Sequence, residues 1–162
     1  MAGTVRSLTL GEDELLRGVF GNMVDRSRVT LRAGPGRNPL ARLALRQEMV
    51  WAMTYRSTIH FKQAHYSDDF SALDADARLL VHEMVHVWQY AKLGLPLFAL
   101  RYGWNYIACD CNPEMTYRHS DARHFNQATL EGQASIVEQY FHGGAADPAL
   151  KAKLAQTGFF GL

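Results

Sequence analysis

The run 72–93 constrains this chain more than any other, because its apolar residues Leu73, Ala77, Leu80, Val81, Met84, Val85 and Trp88 recur every three or four positions. That spacing predicts a helix with one buried stripe, which needs a packing partner. Ser71 with Asp74 three residues on reads as a capping box, and Asp76 adds negative charge at the positive end of the helix dipole. Gly94 predicts a left-handed stop, and Pro96 bars continuation. A second long helix is predicted between Asp121 and Phe141, ended by Gly143 and Gly144. Ala128, Gly132, Ala134 and Ser135 are small enough to let it approach the first helix closely.

The first helix carries His82-Glu83-Met84-Val85-His86. Residues four apart on a helix lie one turn above each other, so two imidazoles can converge on one metal ion. Glu83, next to the first ligand, can then reach the open coordination position. With 7 His in 162 residues, and as many Glu, the pattern arises by chance about 1% of the time, so chance does not account for it.

Two histidines do not complete a catalytic zinc site, which takes three protein ligands and keeps one position open for water. A third histidine six residues after His86 is ruled out, since Gln89 and Lys92 stand where that continuation needs Gly and His. A carboxylate from the second helix remains: Glu131, on the small-residue stretch 131–135, or Glu138, two turns further along. His119 and His124 are the other candidates for the third position.

Elsewhere, residues 11–23 predict a short helix striped by Leu15, Leu16, Val19 and Phe20. Alternation predicts strands at 27–33 and 57–63, separated by a Gly/Pro loop at 34–39 and by a stretch, 40–53, that fits helix and strand equally. A chain of 162 residues suggests one domain spanning 1–162. Its 17 basic and 16 acidic residues give +1, which offers no electrostatic case for nucleic acid or an anionic membrane. Residues 93–109 are the most apolar segment but fall short of the ~20 residues needed to span a bilayer. They read as core or pocket wall, and Phe98, Tyr102, Trp104 and Tyr106 as core packing or as the wall of a substrate cleft. Cys109 and Cys111 are too close for an unstrained disulfide and lack zinc-finger partners, so free thiols are expected. With no apolar leader at the N-terminus, the expected location is cytoplasmic.

The chain resembles the gluzincin branch of the zincin metallopeptidases in its His-Glu-x-x-His helix and downstream helical Glu. More narrowly, Ile59-His60-Phe61, Tyr66, Asp69 and the run 79–89, together with 130–141, resemble the metallopeptidase-like core domain associated with bacterial contractile injection systems, a group that includes Vgr-related proteins. The resemblance covers about 57–141. It implies a zincin-like α+β fold, with the motif helix packed on a second helix and a small sheet whose edge strand, 57–63, lies beside the site. It implies one zinc ion held by His82, His86 and Glu131, Glu83 as general base, and an extended peptide or protein substrate added to the edge strand. It also implies injection-system components as partners and export by such a system. One departure stands out: Ser135 sits where many gluzincins place an Asp that orients a ligand histidine. The competing expectation is an interaction or assembly domain that keeps the scaffold without turnover.

Overall fold

The structure is a computed structural model that describes residues 3–109, 112, 115, 117, 122, 124–155 and 157–162. Among them lie four strands and five helices: β1 (Val5–Arg6), α1 (Leu10–Phe20), β2 (Thr30–Ala33), α2 (Pro39–Ala44), β3 (Ala52–Tyr55), β4 (Thr58–Phe61), α3 (Asp74–Ala108), α4 (Leu130–Phe141) and α5 (Pro148–Leu154). The chain is α+β, as expected. Its sheet has the order β1-β2-β4-β3, with β2 and β4 parallel and the outer pairs antiparallel.

That order corrects the edge-strand expectation. Residues 57–63 supply β4, which is an inner strand, and the edge beside it is β3. The stretch 40–53 resolves both ways: Asn38 caps α2, whose first residue is Pro39, and the chain then extends into β3. A tight turn through Arg56, at φ 56°, folds β3 back onto β4 and takes the edge position.

Helix α1 begins one residue before the predicted span and ends at Gly21, with Thr9 and Glu12 closing a reciprocal capping box. Glu12 is fully buried and does more than cap. Its two carboxylate oxygens accept from Arg6 of β1, each at 2.7 Å, and one also accepts from the Phe70 amide at 2.8 Å. One carboxylate therefore ties β1, α1 and the approach to α3 together.

Helix α3 buries Ala77, Leu80, Val81, Met84, Val85 and Trp88 as the periodicity requires, but Leu73 is exposed. The Ser71–Asp74 capping box does not form. Ser71 Oγ is held by Asp69 Oδ1 at 2.6 Å, and the helix starts only at Asp74, with Leu73 as an N-cap that makes no side-chain bond. Gly94 breaks the helix with φ 71° and ψ 163°, yet helix resumes beyond it. Pro96 falls in the first turn of the renewed helix, where its missing N–H costs nothing. Phe98 is buried there, whereas Tyr102 and Trp104 are 43% and 69% exposed, so the core-packing expectation holds for Phe98 and not for those two.

Helix α4 is shorter than predicted. Residues 125–127 form a separate 3-10 turn, and Thr129 Oγ1 caps α4 by accepting from the Gly132 amide at 2.9 Å. Gly132, Ala134 and Ser135 are buried, and the helix that carries them packs on α3. The tail contributes a core residue that the sequence reading did not single out. Phe159 is fully buried, with its ring centroid 5.4 Å from Phe20 and 5.0 Å from Trp88. No described helix is long and apolar enough to cross a membrane. Cys109 is a free cysteine, while Cys111, His119 and the Tyr106 side chain lie outside the described residues.

Candidate metal centre

The close contact of α3 with α4 brings together the residues singled out on each. His82 Nε2 and His86 Nε2 each lie 3.2 Å from one oxygen of Glu131, Oε2, and all three residues are buried. One ligand atom from each falls within 4.8 Å of the others. A tetrahedral zinc with ligands at about 2.0–2.2 Å separates neighbouring ligand atoms by about 3.3–3.6 Å. The two nitrogen–oxygen separations are close to that edge length, so this donor set fits the ion.

The remaining ring nitrogens are also engaged. His82 Nδ1 lies 3.1 Å from Glu138 Oε2, and Glu138 Oε1 in turn accepts from Arg78 at 2.7 and 3.2 Å. His86 Nδ1 lies 2.8 Å from Gln89 Oε1, and Gln89 Nε2 donates to Leu130 O and Gln133 Oε1. Because the carboxylate and amide oxygens can only accept, both Nδ1 atoms carry a proton, and each Nε2 is the atom that faces Glu131. Glu138 thus stands behind His82 rather than among the converging atoms, and it occupies the supporting role that Ser135 cannot fill. His124 is exposed, heads the 3-10 turn at 125–127, and is not among the converging ligand atoms.

Glu83 is buried beside the two histidines. Its Oε2 accepts the Thr54 hydroxyl at 2.7 Å, which ties it to edge strand β3. Oε1 has no protein partner among the described residues. Tyr102 lies close enough to Glu131 to feel its charge, and the Tyr117 ring lies 5.9 Å from that of His82.

The electrostatics are those of a dense cluster of acids and bases. Burial opposes charge on His82, but hydrogen bonds to Glu131 and Glu138 and the nearby carboxylates outweigh it and hold the imidazole up to about 10. His86 is raised too: burial acts against it, and the Glu131 carboxylate prevails. Glu131 is itself held well below the usual carboxylate range, because the two imidazoles overcome its burial. Although Tyr102 and Tyr117 keep 43% and 44% of their surface exposed, partial desolvation of the phenols, reinforced by Glu131, pushes both above their ordinary range, so both remain neutral hydrogen-bond donors.

The structure therefore brings His82, Glu83, His86 and Glu131 together. Sequence reasoning missed Thr54, which sits in the stretch it left ambiguous, and Arg78, one turn before His82. It left Tyr102 between core packing and a cleft wall, since no periodicity in the sequence reveals that it lies near Glu131.

An α+β chain with two histidines and a glutamate converging between paired helices defines the class. Residues 8–94, more than half of the chain, match the eCIS core domain, and the chain belongs to that family. The match starts well upstream of the 57–141 stretch on which the resemblance was read, and it ends before Glu131. Among solved structures, the chain is similar to the effector domain of Pseudomonas aeruginosa VgrG2b, with a TM-score of 0.68 and 26% identity over 93% of this chain and 82% of that one. No curated protein sequence matches.

Proposed function

We propose that this eCIS core domain is a zinc-dependent metallopeptidase of the zincin type, working as an effector delivered by a contractile injection system. The observation that carries the reading is the convergence of His82 Nε2 and His86 Nε2 on Glu131 Oε2, with the Glu83 carboxylate buried alongside. A structural metal site needs no spare carboxylate next to its ligands, whereas a hydrolytic one needs a base. Kinship with the family and likeness to the VgrG2b effector domain support delivery by an injection apparatus.

His82, His86 and Glu131 would hold the ion, and Glu138 and Gln89 would fix the two rings. When bound, zinc supplies a Lewis acid that polarises a carbonyl and lowers the pKa of water to about 7. Glu83 accepts the proton of the attacking water at Oε1 and hands it to the departing amine nitrogen as the C–N bond breaks. Thr54 holds Oε2 so that the other oxygen stays aimed. Tyr102 and Tyr117, kept protonated, are the donors available to the developing oxyanion. Among the described residues no strand pairs with the outer side of edge strand β3, so an extended peptide can hydrogen-bond along it beside Glu83.

The test is metal analysis of protein purified without chelator or nickel, followed by cleavage of an unbiased peptide library. One zinc per chain and zinc-dependent cleavage are expected. Zinc without cleavage would move the chain to the interaction-domain reading, and absence of zinc would overturn the metallopeptidase reading.

A further inference from the structure

A second concave surface lies on the opposite face of the sheet. Along β2 and β4, Leu31, Ala33, Ile59 and Phe61 are buried toward the core, so Thr30, Arg32, Thr58 and His60 line the other face. Arg32 and His60 are register partners across the parallel pair and sit side by side. The 34–38 loop, with Arg37 and Asn38, completes a cleft of about 750 Å³. Pockets that hold small molecules run from about 300 to 1,000 Å³.

The cleft is built around an unneutralised charge. The Arg32 guanidinium is packed beneath Gly36, where an added Cβ would meet Nη1 at 3.0 Å and Cζ at 3.1 Å. Gly36 also has φ +57°, a backbone conformation that favours glycine at this point. Arg32 is half-buried, yet among the described residues no carboxylate pairs with it and none lines the cleft. Beside it, His60 Nδ1 lies 3.2 Å from the Gly34 carbonyl, which can only accept. That bond fixes the proton on Nδ1 and leaves Nε2 for a ligand.

The surroundings share this sign. Residues 26–62 contain eight Arg and Lys against one acid, Glu48, a local charge of +7 hidden inside a chain whose total is +1. Of those eight, only Arg26 has an acidic partner among the described residues, Asp13 at 2.7 Å. Two guanidinium forks with hydroxyl and amide donors suit a doubly charged group with three acceptor oxygens better than a carboxylate with two.

We propose that this cleft is a binding site for a phosphoryl group, held by Arg32 and Arg37 with His60 beside Arg32. A phosphorylated small molecule and a phospholipid headgroup carry the same chemistry. The site is separate from the metal centre, so its fate does not depend on peptidase activity.

The experiment is a ¹H–¹⁵N NMR titration of the full chain with inorganic phosphate, alongside sedimentation with phosphatidylcholine vesicles with and without phosphatidic acid. Phosphate should shift the amides of the 34–38 loop and the His60 ring. Arg32→Met should weaken binding at least tenfold, while Lys151→Met, at an exposed position of α5, leaves it unchanged. If Arg32→Met does not fold, Arg37→Met at the exposed loop makes the same test. Sedimentation with phosphatidic acid vesicles that is lost in the variant assigns a lipid headgroup, and phosphate binding without sedimentation assigns a soluble phosphate ester. Shifts scattered over the surface, or equal affinity in wild type and both arginine variants, would overturn the proposal.

Discussion

Replacing Glu138 by Gln separates a supporting role from a ligand role at the metal centre. Glu138 Oε2 accepts the His82 Nδ1 proton at 3.1 Å, and Oε1 holds Arg78 at 2.7 Å. Glutamine preserves length and can still accept one bond, but it removes the negative charge that raises the basicity of the imidazole. Partners of this kind typically contribute about 10–100-fold to metal affinity, or about 1.4–2.8 kcal/mol. Arg78 is half-exposed and acts only through Glu138, so Arg78→Met should cost less, within about 1 kcal/mol. Competition against a fluorescent zinc chelator at fixed pH measures both. Zinc affinity unchanged in Glu138→Gln would refute the reasoning. Complete loss of zinc there, with binding retained in Glu131→Gln, would make Glu138 the third ligand.

Four further outcomes follow from the structure. Thr54→Val removes the hydroxyl that holds Glu83 and should lower kcat about 10–100-fold with KM and zinc content little changed, while Thr54→Ser restores it; equal kcat in wild type and Val would show that Thr54 is only core. His82 is held up to about 10 and His86 is raised, so zinc binding at pH 7 should release more than one proton per ion, measured by calorimetry in buffers of different ionisation heat. Raised imidazoles stabilise the metal-free fold fully below about 6.5, and that contribution fades as pH rises through about 10, so the metal-free Tm should fall over this interval; a Tm that rises would contradict the assignment. Gly94→Ala should cost about 1–3 kcal/mol by denaturant midpoint, because φ 71° and ψ 163° suit glycine alone while the new Cβ would meet Pro96 at an ordinary 3.9 Å; a neutral substitution would show that the break is not needed.

The helical parts of the centre were legible because they are periodic. His82 and His86 share a helix face whatever the rest of the fold does, and the small residues around Glu131 announce a close helix pair. Strand order was not legible: four-residue strands carry little pattern, and the hairpin that puts β3 at the edge depends on Arg56 adopting a left-handed turn. Glu138 was visible only as a candidate ligand, since its contact with the far nitrogen of His82 depends on how α4 is placed along α3. The basic cleft escaped notice because the whole-chain charge is nearly balanced.

The central claim is that Glu83 serves as the base of a zinc peptidase, and the measurement that tests it most directly compares peptide cleavage by zinc-loaded wild type and Glu83→Gln. The account predicts one zinc per chain in both and a loss of about 10²–10⁴-fold or more in cleavage by the variant. Equal cleavage by the two proteins, with zinc retained in each, would contradict it.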